Sequence, residues 1–159
     1  MLKHKFALHP YLWKGKKQPH VTMKVSIITV TYNSGKYLQD CIESVIKQQY
    51  KNIEHIIIDG KSTDNTLSII KNYESHISKW ISETDKGMYD AINKGIVMAT
   101  GDIIGILNSD DMLDTDDVIS CIVKAFEEQQ TDAVYGDLEY VDAKDTNKVL
   151  RIWKGRPYK

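Results

Sequence analysis

Three runs rich in β-branched residues, 24–31 (KVSIITVT), 53–59 (IEHIIID) and 102–107 (DIIGIL), alternate with segments of helical period, and that alternation restricts the chain to one broad architecture. Strands this continuously apolar are buried on both faces, because a strand with one wet face alternates apolar with polar residues. After the first run, Ser34 is placed to cap a helix carrying Leu38, Ile42, Val45 and Ile46 on one side. After the second, Asp64-Asn65-Thr66 opens a helix with Leu67, Ile70 and Tyr73 along one face. Residues 79–83 (KWISE) read as a short third strand, and a helix through Tyr89, Ile92, Ile96 and Val97 ends before Gly101. The run at 102–107 is then the fourth strand. A helix is predicted over 114–129, with Val118, Ile122 and Ala125 buried, and a fifth strand over 133–136. Beyond it, LEYVD and KVLRIWK flank a DAKDTN turn and form a predicted hairpin. Strands alternating with helices make a three-layer α/β domain with a mostly parallel sheet.

Composition narrows the partners. The 159 residues, 42% hydrophobic and 27% charged, suit one folded domain and exclude a disordered chain or a fibre. No apolar run approaches the roughly 20 residues needed to span a bilayer. The formal net charge of -1 is uneven, since residues 1–22 carry Lys3, Lys5, Lys14, Lys16 and Lys17 and no acid. The remaining body is acidic, which argues against nucleic acid as the main partner. Residues 1–22 lack the apolar core of a secretory signal, and Pro10, Gly15 and Pro19 interrupt any helix. They read as a basic, loosely ordered arm, able to touch an anionic membrane surface, with the α/β domain over 23–159. Cys41 and Cys121 lie far apart in helical patterns and read as buried structural thiols in a reducing, cytoplasmic setting. His55, alone in an apolar strand, reads as a hydrogen-bonded core or surface histidine.

In open parallel sheets, ligands bind beyond the carboxyl ends of the strands. Here those ends carry Thr31-Tyr32-Asn33, Asp59-Gly60, Glu83-Thr84-Asp85 and Asn108-Ser109-Asp110-Asp111. Five carboxylates brought to one edge need a counter-charge. Lys86 and Lys94 offer some, and a divalent cation of the Mg²⁺ or Mn²⁺ type, which takes a few carboxylates plus phosphate, offers the rest. Asp64 and Asp114 are explained by helix capping, whereas Asp110 and Asp111 together exceed what one cap requires.

Three segments in order, KVSIITVTYNSGKYLQDCIESVIKQQY, IIIDGKSTDNT and SETDKGMYDAINKGIVMATGDIIGILNSDD, resemble the nucleotide-sugar-dependent glycosyltransferases of family 2 from residue 24 to about residue 137. The resemblance implies a Rossmann-like nucleotide-diphospho-sugar transferase fold of the GT-A type. It implies an inverting, metal-assisted hexosyltransferase that moves a sugar from a nucleotide donor, a UDP-sugar, to a saccharide or lipid-linked acceptor. Polysaccharide or glycolipid assembly at the cytoplasmic face of the membrane is the setting implied. By position in the family motifs, Val30, Thr31 and Tyr32 flank the nucleobase, Asp59 accepts a hydrogen bond from uracil, and Asp85 and Asn93 line the nucleotide and donor sugar. Asp111 is the direct metal ligand and Asp110 lies near ribose, sugar and metal. The same resemblance puts the catalytic base and the acceptor-binding part beyond Lys159, so that the chain is short for its family. That shortness supports a second reading, a truncated domain that binds nucleotide or a partner chain without turnover. The exposed hairpin edge would then pair with further chain or with a second copy. No G-x-G-x-x-G follows the first strand and no P-loop is present, which sets aside dinucleotide dehydrogenases and P-loop NTPases.

Overall fold

The computed structural model describes residues 2–7, 22–129 and 131–155. Its first sheet is all parallel, in the order β4-β3-β2-β5, from β2 (Val25–Thr31), β3 (Ile53–Asp59), β4 (Lys79–Ser82) and β5 (Ile103–Ile106). All seven residues of β2 and six of the seven in β3 are buried, as their unbroken apolar sequence requires. The chain winds outward from β2 to β4 and then crosses to the other side of β2 to form β5. The strand order therefore reverses between β2 and β5, the place at the carboxyl edge where open α/β sheets bind their ligands.

Helices α1 (Leu38–Ile46), α2 (Thr66–Asn72) and α4 (Val118–Gln129) cover one face, and α3 (Met88–Met98) covers the other. On the first face Val25, Ile27 and Ile103 pack against Cys41, Val45, Val118, Ile119 and Val123, while Ile57 meets Leu38, Ile42, Ile69 and Ile70. On the second, Ile28, Val30, Ile56 and Ile58 meet Ala91. Gly95 of α3 lies directly over Ile28, where a Cβ would come within 2.4 Å of Ile28 Cγ2. Among the described residues no helix is long and apolar enough to cross a membrane.

A second, mixed sheet runs β6-β1-β7-β8, from β1 (Leu2–Ala7), β6 (Asp111–Leu113), β7 (Asp137–Asp142) and β8 (Val149–Trp153). It corrects the sequence reading in three places. Residues 2–7, expected in a loose arm, form β1, parallel to β6 and antiparallel to β7; their sequence alternates Leu2-Lys3-His4-Lys5-Phe6, a strand pattern. The rest of the expected arm, residues 8–21, lies outside the described residues. The hairpin β7–β8 forms as expected but joins β1 rather than the parallel sheet, and 133–136, expected as a strand, is irregular. Two helix starts also move. Ser34 does not cap α1 with its side chain, since α1 begins at Leu38 after a turn closed by Tyr37 and Leu38 N–H groups donating to the Ser34 carbonyl. The helix expected from residue 114 begins at Val118, because Asp111–Leu113 is drawn into β6 and the turn that follows separates it from α4.

Candidate functional site

The register of the parallel sheet sets Thr31, Asp59 and Ser82 side by side at its carboxyl edge. Asp59 is fully buried, and its carboxylate accepts from Ser62 N–H at 3.0 Å, from Ser82 Oγ at 2.6 Å and from Ser62 Oγ. The Ser62 hydroxyl in turn accepts from Asn33 N–H at 2.8 Å, and Asn33 Oδ1 accepts from Thr63 N–H at 2.9 Å. The turns after β2 and β3 are thus laced together. Asn33 and Lys61 have positive φ, 50° and 65°, and asparagine tolerates that region better than most residues. Val30 is buried with its side chain in the core, so it offers the site only its backbone. Thr31 Oγ1 is buried without a hydrogen-bond partner among the described residues.

Tyr32, 63% exposed, projects beyond β2. Between its ring and Asp85 lies Gly60, where an added Cβ would sit 2.6 Å from Asp85 Oδ2 and 3.4 Å from Tyr32 Cδ2. The absence of a side chain at Gly60 lets the aromatic ring and the carboxylate flank one narrow space. Asp85 is held by Gly87 N–H donating to Oδ1 at 2.8 Å, with Gly87 at φ 111°, a conformation glycine adopts without strain.

On the other side of β2, the loop after β5 carries the paired acids. Asn108 Nδ2 donates to Asp111 Oδ2 at 3.0 Å, and Asp111 N–H donates to the Asn108 carbonyl at 3.0 Å. The same carbonyl accepts from Cys41 Sγ at 3.4 Å, and Ser109 Oγ lies 2.8 Å from Ser34 Oγ. The loop is therefore tied to α1 and to the turn after β2. Burial pushes the Cys41 thiol up to about 12, and the negative charges of Asp111 and Asp110 push in the same direction. Asp64, below Gly35, accepts from Thr66 N–H and from Gly35 N–H, and its carboxyl is held below the usual range chiefly by the Thr66 hydroxyl.

The structure brings together Tyr32, Asp59 and Asp85 on one side and holds Asp111 in the loop across β2. It does not gather five carboxylates. Asp59 is answered by serines, and Glu83 turns to Lys94 at 2.9 Å. Lys94 also lies 3.5 Å from Asp90, so this expected counter-charge is engaged at the start of α3, its ammonium stabilised first by Glu83. Asn93 lies on the exposed side of α3, with no hydrogen bond tying it to the other site residues. Among the described residues no three His, Cys, Asp or Glu side chains come together as a metal cage. Two adjacent carboxylates on a braced loop, with hydroxyls nearby, form an all-oxygen donor set that fits a hard divalent ion completed by a diphosphate. Sequence reasoning missed Ser82, and it placed Asn108 at its strand end without a role. Ser82 reaches Asp59 only through the β3–β4 register, whereas Asn108, three residues before Asp111 at a strand end, has the spacing of a local Asx contact. Cys121, expected to be buried, is half-buried, and His55 is buried with Nδ1 unpaired, Nε2 being 3.0 Å from Thr29 Oγ1.

Comparison with known proteins gives the family and the fold. An uncharacterised glycosyltransferase of Mycobacterium tuberculosis is 41% identical over 102 residues, 64% of this chain and 39% of its own length. The glycosyltransferase GlyG of Streptococcus pneumoniae is 34% identical over 126 residues, 77% of this chain and 42% of its own. The chain thus spans about two fifths of the length of these curated relatives. In three dimensions it is similar to residues 1–349 of Staphylococcus aureus TarS, solved in complex with UDP-GlcNAc, with a TM-score of 0.64 and 27% identity over 69% of this chain and 33% of that one. The mostly parallel sheet with its helices is thus that of the GT-A glycosyltransferases. The model of the family described as "Glycosyl transferase family 2" matches residues 26–159, and the chain belongs to that family.

Proposed function

We propose that this chain is the donor-binding part of a glycosyltransferase that takes a sugar from a UDP-sugar and passes it, with inversion, to a saccharide or lipid-linked acceptor. The observation that carries the reading is the carboxyl edge on either side of β2, with Tyr32, Gly60 and Asp85 on one side and the braced Asp111 loop on the other. The TarS similarity, to a protein solved with UDP-GlcNAc, supports the choice of nucleotide.

In this reading the nucleobase lies against the Tyr32 ring, in the space that Gly60 leaves open. Asp59 is fully buried, so it accepts from the uracil N–H once Ser62 or Ser82 gives up its place. Asp85 takes a ribose or sugar hydroxyl, and Asn93 extends that side of the pocket. Asp111, with Asp110, would hold a Mg²⁺ or Mn²⁺ ion, which supplies electrostatic stabilisation to the diphosphate as its charge grows on leaving. The residues' own part is to fix that position. Asn108 clamps one oxygen of Asp111, and the Cys41 and Ser34 contacts keep the loop from drifting away from the turn after β2. Misplacement by an ångström at such a site costs orders of magnitude in rate. In this reading the transfer takes place at the cytoplasmic face of the membrane.

The test is calorimetric titration of the folded chain with UDP, with and without Mn²⁺. Binding that needs Mn²⁺, and that Asp111→Ala and Tyr32→Ala each weaken about tenfold, or about 1.4 kcal/mol, supports the reading; absence of UDP binding in the folded wild type refutes it. A second reading is nucleotide binding without turnover. Release of UDP from UDP-sugar donors by the isolated chain would exclude it.

A further inference from the structure

One face of α1 carries polar side chains turned into the protein rather than to solvent. Cys41 and Ser44 in the helix and Gln48 just past its end stand three and four residues apart, a spacing that sets them in one row. All three are buried, and Gln48, 2% exposed, ranks among the largest fully buried side chains of the chain. A polar group in such a place costs free energy unless it is hydrogen-bonded, and an apolar side chain of the same size would fill the space without that cost. The reason for the row therefore lies in what it bonds.

Outside α1, the Ser44 and Gln48 side chains bond to backbone groups of one segment. Ser44 Oγ accepts from Leu113 N–H at 3.1 Å while donating to the Cys41 carbonyl at 2.7 Å. Gln48 Nε2 donates to the Thr115 carbonyl at 2.7 Å and to the Ser44 carbonyl at 3.1 Å, and its Oε1 accepts from Ile119 N–H at 3.0 Å. Both donors of the amide and its oxygen are thus engaged. Gln49 adds its own N–H, donated to the Asp116 carbonyl at 2.7 Å. With Cys41 Sγ on the Asn108 carbonyl, α1 and the turn after it grip the chain at residues 108, 113, 115, 116 and 119.

Asp110 and Asp111 lie between the first two grips. Cys41 and Ser44 are three residues apart, a rise of about 4.5 Å along the helix. Both ends of the stretch 108–113 are therefore fastened to neighbouring points of one rigid rod. The stretch has little hold of its own, since β6 is three residues long. Gln48 secures the downstream side. Ile119 N–H belongs to the first turn of α4, where N–H groups have no partner within their own helix, so a side chain following α1 fixes where α4 begins.

We propose that Ser44 and Gln48 are positioning residues for sugar transfer: they hold the 108–119 backbone where Asp110 and Asp111 can share a divalent ion with a diphosphate. The role toward ion and diphosphate rests on the donor reading above; the grip on the backbone does not.

The test measures, by calorimetry at fixed UDP, the Mn²⁺ concentration at which half of the full chain has bound UDP, together with the fraction of chain that binds. Ser44→Ala leaves Leu113 N–H without its acceptor, and Gln48→Met keeps the volume and loses the amide. Each is expected to raise the Mn²⁺ midpoint about tenfold, the lower end of what removing an orienting hydrogen bond costs a metal site. The fraction that binds at saturating Mn²⁺ should stay unchanged. Ser44→Thr, which keeps the hydroxyl, should remain within about threefold of the wild type. Ile56→Val, on the opposite face of the sheet under α3, controls for lost packing and should lower the melting temperature without moving the midpoint. Amide hydrogen exchange at Leu113 and Ile119 should quicken in Ser44→Ala and Gln48→Met respectively. Circular dichroism checks folding, and should Gln48→Met fail to fold, the Ser44 pair decides.

The proposal is overturned if the folded variants keep the wild-type midpoint, if they lose only the fraction that binds, which would mean a role in folding alone, or if Ile56→Val moves the midpoint equally. Exchange that stays slow at both amides would remove the grip itself. A wild type that binds UDP while the variants match it leaves the donor reading standing and removes the positioning role. A folded wild type that binds no UDP at any Mn²⁺ concentration removes the donor reading and the positioning role together, and the exchange rates then report the backbone grip alone.

Discussion

Glu54 offers a quantitative test of how the parallel sheet is closed at the edge away from the site. Its side chain is 4% exposed and accepts from five donors. Lys79 Nζ at 2.9 Å, Lys24 Nζ at 3.2 Å and Thr100 Oγ1 at 3.0 Å meet Oε1; Ser26 Oγ at 2.7 Å and Thr100 N–H at 2.9 Å meet Oε2. These contacts join β2, β3, β4 and the loop after α3. Removing one partner of a buried ion pair costs about 3–5 kcal/mol, because the other partner is left uncompensated. Here the two lysine side chains are 37% exposed and regain water, so Glu54→Ala should fall near the lower end, about 3 kcal/mol. Glu54→Gln keeps the shape and the contacts to Ser26 and Thr100 but loses the charge, and should cost about half as much, in line with a hydrogen bond to a charged group. Urea denaturation at neutral pH measures both. The pH dependence gives an independent check. Burial alone would raise the Glu54 carboxyl, but Lys79, Ser26, Thr100 and Lys24 outweigh it and hold it well below the usual range. A depressed carboxylate contributes stability that is complete above its unfolded value, about 4.3, and is lost as the pH falls below that value toward the folded one. That acid-linked loss should be absent in Glu54→Gln. A cost below about 1 kcal/mol for Glu54→Ala, less than a typical hydrogen bond to a charged group, or an unchanged acid profile in Glu54→Gln, would refute the assignment of this cluster as a closure of the sheet.

Three further outcomes follow from the packing. Burial lowers His55 to about 4, so the unfolded chain takes up a proton below pH 6.5 that the folded one does not; stability is full above that pH and falls by about 2 kcal/mol between 6.5 and 5, a loss His55→Gln should abolish in urea titrations at the two pH values. Gly95→Ala should destabilise by about 1–3 kcal/mol despite the better helix propensity of alanine, because the new methyl group meets Ile28; a raised melting temperature would contradict the contact. Iodoacetamide at pH 8 should label Cys121 before Cys41, whose thiol is fully buried and far from ionising, and mass spectrometry of the native chain would show the reverse order if Cys41 were accessible.

The readability of the fold followed the density of local signal. β2 and β3 emerged from sequence nearly residue for residue because their buried runs leave no alternative period. β6 did not, since three residues carry no period and form a strand only through β1, which lies at the far end of the chain. The irregular stretch at 133–136 resembles a strand by residue type, but β1 pairs with the chain only from Asp137 onward. At the site, Tyr32, Asp59, Asp85 and Asp111 were legible as polar residues just past apolar runs, and Lys94 meets one of the strand-end acids, Glu83, as expected of a counter-charge. How Asp59 is satisfied was not legible, because Ser82 is brought to it by register.

The place of β1 between β6 and β7 has a consequence for how the molecule assembles. Its partners lie more than 100 residues further along the sequence, so β1 stays unpaired until residues 111–142 have been made. Parallel pairing over such a sequence separation carries a large loop-closure cost and is slow. The β4-β3-β2-β5 sheet, built from neighbouring segments, can form first, and the second sheet then closes around β1 as a late clasp. A chain begun at Met23 would lack that clasp, leaving the Asp111 strand and the β7–β8 hairpin without the element that joins them. Residues 2–7 would thereby decide whether Asp111–Leu113 and Asp137–Asp142 are held in one sheet.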